Sequence, residues 1–207
     1  MYTEKSLKDF TQVLADKVPV PGGGGTAALC GALAASLGAM AANYTVGKKK
    51  YEMYEEDVRE LLKTADKLRI KLLDLVEEDA IAFEPLSKAY AIPKDDPARE
   101  EALQEATLAA AYTPLDIMDA CADVIDVLDE LADKCNRLMI SDVGCGAIFA
   151  GAALRAAAMN VFVNTSTLKD AKKAEELELT AERLLEDYLP LADVIAETVR
   201  GEIKGER

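Results

Sequence analysis

The chain holds no histidine. That removes Ser-His-Asp and Cys-His nucleophile systems and every histidine-containing zinc site. Proton transfer must fall to Asp, Glu, Lys, Tyr or Cys. Four consecutive glycines, Gly22, Gly23, Gly24 and Gly25, can bring backbone N–H groups close to a bound group. Lys48, Lys49, Lys50 and Tyr51 form a basic corner. One ammonium there can anchor a ligand carboxylate, and another, partly desolvated beside Tyr51, can exchange protons. Solvated charge at a helix C-terminus is the plainer account of the same lysines. Asp79 interrupts an apolar helical face, as a buried ion pair with a lysine or as an acid–base group. Asp142 falls in a first helical turn, where the helix dipole alone favours a carboxylate. Asn160 and Asn164 are one turn apart and can jointly hydrogen-bond a planar heterocycle.

The elements that must position these residues read as helices. The glycines run into Thr26-Ala27-Ala28, not into Gly-Lys-Ser/Thr, so they are not a nucleotide-binding P-loop. They are expected to form a loop, with Thr26 capping a helix that ends near Val46 at the stop signal Gly47. Ala27, Gly31, Ala34, Gly38 and Ala42 make one smooth stripe along it, for close packing or for a flat ligand. Further helices are expected over Ser6–Asp16, from about Tyr54 to Tyr90 with a kink or break near Pro85, and from Asp96-Pro97 to about Tyr112. Thr113-Pro114 restarts a helix to about Leu138. Ser141 is placed as N-cap of the next, to about Thr167, and Asp170 to about Gly201 forms the last, bent at Pro190. Asp142 and Asn160 share a face but, at ~1.5 Å rise per residue, lie about 27 Å apart. They cannot both touch one reacting atom. Gly146, Ala153 and Ala157 leave a shallow apolar track between them.

No stretch alternates as a strand, and no linker or repeat divides the chain. The expectation is one all-α domain over residues 1–207, a bundle of long antiparallel helices. Its two Ala/Gly-surfaced helices offer more close-packing face than one chain covers, which points to a homodimer. The net charge of −14 argues against nucleic acid and anionic membranes as partners, so an anionic ligand needs a local basic spot such as Lys48–Lys50 or Arg155. Thr26–Gly47 and Val143–Asn164 are long and poorly charged. The first is mostly Ala and Gly, and the second carries Arg155 mid-length, so both are expected as buried helices rather than membrane spans. Cys30, Cys121, Cys135 and Cys145 lie in apolar helical context without a Cys-x-x-Cys pair. Buried, reduced thiols are expected, and with no apolar signal core in MYTEKSLKDF, a cytoplasmic protein.

Pro19-x-Pro21-Gly22-Gly23-Gly24, the Ala/Gly helix and Thr45-x-Gly47-Lys48-Lys49-Lys50-Tyr51 together resemble the formiminotransferase-cyclodeaminase C-terminal domain family. Ser141-Asp142, followed by a small-residue helix ending Asn160-Val161-x-x-Asn164, is a second match. The resemblance implies an all-helical dimer with its ligand cleft near the subunit contact. It also implies a folate one-carbon enzyme: a methenyltetrahydrofolate cyclohydrolase ahead of a formiminotetrahydrofolate cyclodeaminase. A non-catalytic helical folate-binding or scaffold dimer is the reading of another class. Neither enzyme reaction needs a metal or a cofactor beyond the tetrahydrofolate substrate. On this resemblance Asp142 stabilises a cationic ring carbon and Lys49 or Lys50 with Tyr51 moves protons, while Asp79 remains a candidate acid–base group. Gly22–Gly25, Lys48, Ser141, Asn160 and Asn164 would bind substrate. The glycine amides and the lysine corner are then expected to frame one cleft for a flat, negatively tailed molecule.

Overall fold

The computed structural model describes residues 1–206. Among them seven α-helices follow in order: α1 (Leu7–Ala15), α2 (Gly23–Asn43), α3 (Glu55–Ala91), α4 (Arg99–Ala110), α5 (Tyr112–Lys134), α6 (Ile140–Thr165) and α7 (Ala171–Lys204). Short 3₁₀ helices at Lys49–Tyr54 and Arg137–Met139 lead into α3 and α6. No described residue is in a β-strand, as the sequence led one to expect.

Local chemistry accounts for several boundaries. Ser6 caps α1 by accepting the Asp9 N–H, and Asp170 caps α7 by accepting the Lys173 N–H. Gly47 takes φ +74° after α2, a left-handed conformation that a side chain would make costly. Three expectations are corrected. The glycines form no loop: Gly22 is the N-cap, Gly23–Gly25 are the first turn of α2, and none has positive φ. Thr26 is not the cap, and its hydroxyl donates to Gly22 O instead (2.8 Å). Ser141 is not a cap either, because α6 already begins at Ile140 with Met139 before it. Both α3 and α7 run unbroken through Pro85 and Pro190.

α2 is the central element, packed against α3, α5 and α6, while α7 covers α5 and α6. Its small-residue stripe serves close packing. A Cβ on Gly31 would stand 2.9 Å from Cys121 Sγ, and one on Gly38 would stand 3.3 Å from a Leu128 methyl. From the other side, a Cβ on Gly146 would meet Leu128 at 2.9 Å and Ala34 O at 3.4 Å. Leu72, Ile117, Met118, Ile125, Leu128, Leu131 and Leu154 are fully buried around these contacts. Each contributes about 1.5–3 kcal/mol by leaving water. α2 and α6 run antiparallel, since Gly23 adjoins Asn160 while Ala34 adjoins Gly146. Both are long and apolar enough to cross a membrane, yet each buries one face against other helices.

The end of α3 and α4 form a hairpin with a small core of its own, Leu86, Ala89, Ala106 and Ala110. This hairpin carries Phe83 and Ala110 to the start of α2. Two cysteines depart from the expected burial: Cys30 is half-buried and Cys145 is exposed. Cys121 and Cys135 are buried, which pushes their thiols up to about 12 and about 11. That disfavours thiolate chemistry at both.

Candidate active site

A cavity of about 220 Å³ opens at the start of α2. Gly22, Gly23 and Gly24 form one wall, and Asp79, Phe83, Asn160 and Asn164 face them. Asp79 reaches the site because Leu72, Val76, Asp79 and Phe83 follow helical spacing on the α3 face that meets α2. Its Oδ2 accepts the Gly25 N–H at 2.8 Å, one of the donors that a helix start leaves without a partner. The run of glycines is what admits the carboxylate so close. A Cβ on Gly24 would overlap it, with Asp79 Cγ only 2.6 Å away. Burial pushes the Asp79 carboxyl above the usual carboxylate range, and the Gly25 hydrogen bond partly offsets this. No lysine or arginine takes part in that balance, so the alternative of a buried ion pair is not realised.

The two asparagines are partly committed to the backbone. Asn160 Nδ2 donates to Ala156 O (2.8 Å), and Asn164 Nδ2 donates to Asn160 O (2.9 Å) and Ala110 O (3.2 Å). Asn164 thereby fixes the α4–α5 junction against α6 and offers a ligand only its oxygen. Asn160 Oδ1 lies over Gly23, 3.2 Å from where a Cβ would stand. The cavity is thus rich in acceptors, with a helix start at its floor and no cationic residue among its walls.

The remaining candidates lie at the other end of α2 and α6. Twenty residues of helix at ~1.5 Å each separate Gly23 from Asn43 by about 30 Å. Lys48, Lys49 and Lys50 are exposed. A second, open cavity of about 450 Å³ adjoins Lys48 and Lys49 together with Glu52 and Glu55. Lys50 stands 5.3 Å from the Tyr51 ring centre. Tyr51 is buried, and its hydroxyl oxygen accepts the Arg137 N–H at 3.0 Å. It therefore ties the lysine corner to the approach of α6. Thr45 Oγ1 does the same by accepting the Asn136 N–H at 2.7 Å. Ser141 is exposed and Asp142 partly so, in the first turn of α6 beside these ties. Within one chain the expected single cleft is therefore two cavities. One is lined by Gly22, Gly23, Gly24, Asp79, Asn160 and Asn164, with Gly25 bonded to Asp79 behind them. The other end holds Lys48, Lys49, Lys50, Tyr51, Ser141 and Asp142.

Sequence reasoning missed Phe83, Ala110, Pro114 and Val163 as walls of the first cavity. Phe83 carried a signal, lying one helical turn beyond Asp79 on the same face. Ala110 and Pro114 carried none, because only the fold of the α4–α5 junction brings them there.

Fold and pocket together describe an all-helical chain with a small, acceptor-lined cavity at the head of its central helix. The chain belongs to the formiminotransferase-cyclodeaminase family, whose profile matches residues 6–183. It is 38% identical to the methenyltetrahydrofolate cyclohydrolase of Methylorubrum extorquens over 207 aligned residues, 98% of this chain and 100% of that one. It is 34% identical to the formimidoyltransferase-cyclodeaminase of Dictyostelium discoideum, in an alignment over 88% of this chain and 34% of that protein. The crystal structure of formiminotetrahydrofolate cyclodeaminase from Thermotoga maritima superposes with a TM-score of 0.84 at 30% identity. That match covers 96% of this chain and 99% of that one.

Proposed function

We propose that the chain hydrolyses 5,10-methenyltetrahydrofolate to 10-formyltetrahydrofolate, and that it works as a homodimer. The observation that carries this reading is the Asp79 pocket: a part-buried carboxylate on a helix start, flanked by carboxamide oxygens, with no cation in its walls. Such a lining favours a cationic or N–H-rich ring over an anion. The substrate's methenyl bridge is an amidinium cation. Its aminopyrimidinone ring presents N–H donors. At about 220 Å³ the cavity suits a ring system and not a whole folate, since sites for drug-sized ligands span roughly 300–1,000 Å³. The full-length likeness to a cyclohydrolase supports this choice of reaction.

In the proposed reaction, water adds to the amidinium carbon and loses a proton. The bond from that carbon to one ring nitrogen then breaks, the nitrogen takes a proton, the adduct's hydroxyl gives its own proton to solvent, and the carbon remains as the formyl group. Asp79, more basic than an ordinary carboxylate, accepts the proton from water and returns it to the leaving nitrogen. The oxygens of Asn160 and Asn164 hold ring N–H groups. The free amides of Gly23 and Gly24 orient the ring.

The anionic tail needs cations that this pocket lacks. The dimer supplies them. α2 carries no charged residue, and α6 carries only Asp142 and Arg155. Leu33 and Met40 on α2 and Tyr44 just after it are exposed, as are Ile148, Phe149, Met159 and Val163 on α6. In a chain of net charge −14, this uncharged strip is where a second copy can approach without repulsion. Val163 belongs both to the strip and to the pocket wall, so the pocket opens onto the contact. A two-fold axis near the middle of the antiparallel pair would set the pocket end of one copy against the basic end of the other. Lys48–Lys50 of the second copy would then hold the tail carboxylates, and its Asp142 would face the cationic carbon.

The Thermotoga maritima likeness favours a second reading, closure of formiminotetrahydrofolate with release of ammonia. Purified protein should remove the methenyltetrahydrofolate absorbance and release no ammonia from formiminotetrahydrofolate. Ammonia release without hydrolysis would replace the first reading by the second. Binding of folates with neither turnover would leave a folate-binding module.

A further inference from the structure

The rim of the Asp79 pocket is chemically under-anchored. Pro19 and Pro21 have no N–H, so two of its three residues cannot donate a backbone hydrogen bond. Among the described residues, Pro19–Pro21 makes one hydrogen bond to the rest of the molecule: Tyr2 Oη donates to Val20 O at 3.2 Å. Tyr2 is eighteen residues earlier in the chain, is not itself a wall of the pocket, and is braced in turn. Its carbonyl accepts the Lys5 N–H at 3.2 Å, and the Lys5 ammonium lies 5.2 Å from its ring centre. The next residue, Thr3, donates both its N–H (2.7 Å) and its hydroxyl (2.9 Å) to the same oxygen of Glu77 on α3. Glu77 is two residues before Asp79, so the brace and the pocket carboxylate share one stretch of helix. A further cavity of about 280 Å³, with Tyr2 and Glu77 on its walls, lies behind the rim and shares Pro19, Val20 and Phe83 with the pocket. Packing therefore does not fill the space behind the rim.

We propose that Tyr2, held by the Thr3–Glu77 pair, is a positioning residue that sets the Pro19–Val20 rim of the substrate pocket. Without the Tyr2 hydroxyl the rim can relax into the space behind it. Gly22, Gly23 and Gly24 follow directly, so their amides lose their fixed approach to the ligand. Tyr2 touches no reacting atom in this scheme. Its effect falls on binding, through the rim, and not on the chemical step.

The inference rests on the folate reading for its consequence but not for its geometry, so the test has two arms. In the first, Tyr2→Phe should raise KM for methenyltetrahydrofolate about 2- to 10-fold, the worth of one neutral hydrogen bond, with kcat nearly unchanged. Glu77→Leu should act in the same way, whereas Glu77→Gln, which keeps an acceptor oxygen for Thr3, should restore wild-type KM. In the second arm, hydrogen exchange should quicken at the hydrogen-bonded amides that flank the rim, Val18, Gly25 and Thr26, in Tyr2→Phe and stay unchanged in α5. Unchanged exchange at the rim overturns the proposal. Exchange quickened equally in α5 also overturns it, because that reports general destabilisation. If the wild-type protein turns over no folate, the functional reading fails and the exchange arm alone decides the rim.

Discussion

The two ends of the α2–α6 pair are built on opposite plans. At the pocket end, groups from five helices close on a small volume. A carboxylate rests on a helix amide at 2.8 Å, and two asparagines are tied to backbone carbonyls. At the basic end, the polar backbone ties serve the fold: Tyr51 and Thr45 receive the N–H groups of Arg137 and Asn136. The lysines above them stand in solvent. A preorganised site needs fixed groups, whereas capture of a flexible charged tail needs only charge within reach. On the proposed reading, the pocket end is the place of chemistry and the basic end a place of attraction that serves another copy's pocket.

Mixing variants is the strongest way to break this comparison. Asp79→Asn keeps an acceptor for Gly25 but cannot take a proton, and should lower kcat by about 10²–10⁴-fold with the fold retained. Asp142→Asn should also abolish turnover while leaving folding intact. If the two ends meet across a dimer, the two inactive variants complement each other. Random exchange makes half the dimers mixed, each with one intact site of two, so about a quarter of wild-type activity should return. No recovery after verified subunit exchange would place both groups in the same site or make Asp142 irrelevant. Full activity of Asp142→Asn alone would remove it from the mechanism.

A second contrast uses one substitution at each end. Gly24→Ala sets a Cβ onto the Asp79 carboxylate and must push it aside. A misplacement of about 1 Å can cost ~10²-fold in rate, so turnover should fall by about that factor. Gly47→Ala meets no atom within 4 Å but must hold φ +74°. It should lose about 1–2 kcal/mol of stability and keep its kcat. Kinetics and thermal melts on both variants separate the outcomes. Equal losses of kcat at the two ends would erase the distinction between them.

What the sequence disclosed follows the range of the interactions involved. Ser6, Asp170 and Gly47 act within a turn of themselves, and the helix starts at Ser6 and Asp170 and the stop at Gly47 were legible. Asp79 was legible as an anomaly, a carboxylate where α3 should be apolar. The helical state of Gly23–Gly25 was not. Glycine in a helix costs about 1 kcal/mol per residue relative to alanine, so local preference favours a loop. The helix wins because Asp79, fifty-four residues away, needs bare backbone to approach and in return satisfies an end amide. Tyr51 shows the same limit. Its place beside three lysines is local, but the tie of its oxygen to the Arg137 N–H, eighty-six residues on, is not. The single cleft failed for a simpler reason. Both ends were identified, but about 30 Å of helix separates them within one chain.

The smallest effect distinguishes the ends by acid. Burial raises Asp79, whereas at the basic end the Gly47 N–H (2.8 Å from Glu55 Oε2) holds Glu55 below the ordinary carboxylate range, with Arg59 assisting. The signs are opposite. A carboxyl raised on folding binds its proton more tightly folded than unfolded, so its contribution to stability falls as pH rises through the raised value. Ionised Asp79 thus carries a cost at neutral pH, and Asp79→Asn should melt no lower than wild type there. A carboxyl lowered on folding stabilises above the unfolded value, and that contribution is lost as pH falls through the lowered one. Glu55→Gln should therefore melt slightly lower at neutral pH, with the difference vanishing in acid. On acidification, activity should fail first, as Asp79 protonates above the usual carboxylate range, and the Glu55 contribution only further down. Melting curves and kcat/KM across that range check the order. Activity that persists until the protein unfolds would deny Asp79 its role as the base and with it the chemical rank of the pocket end.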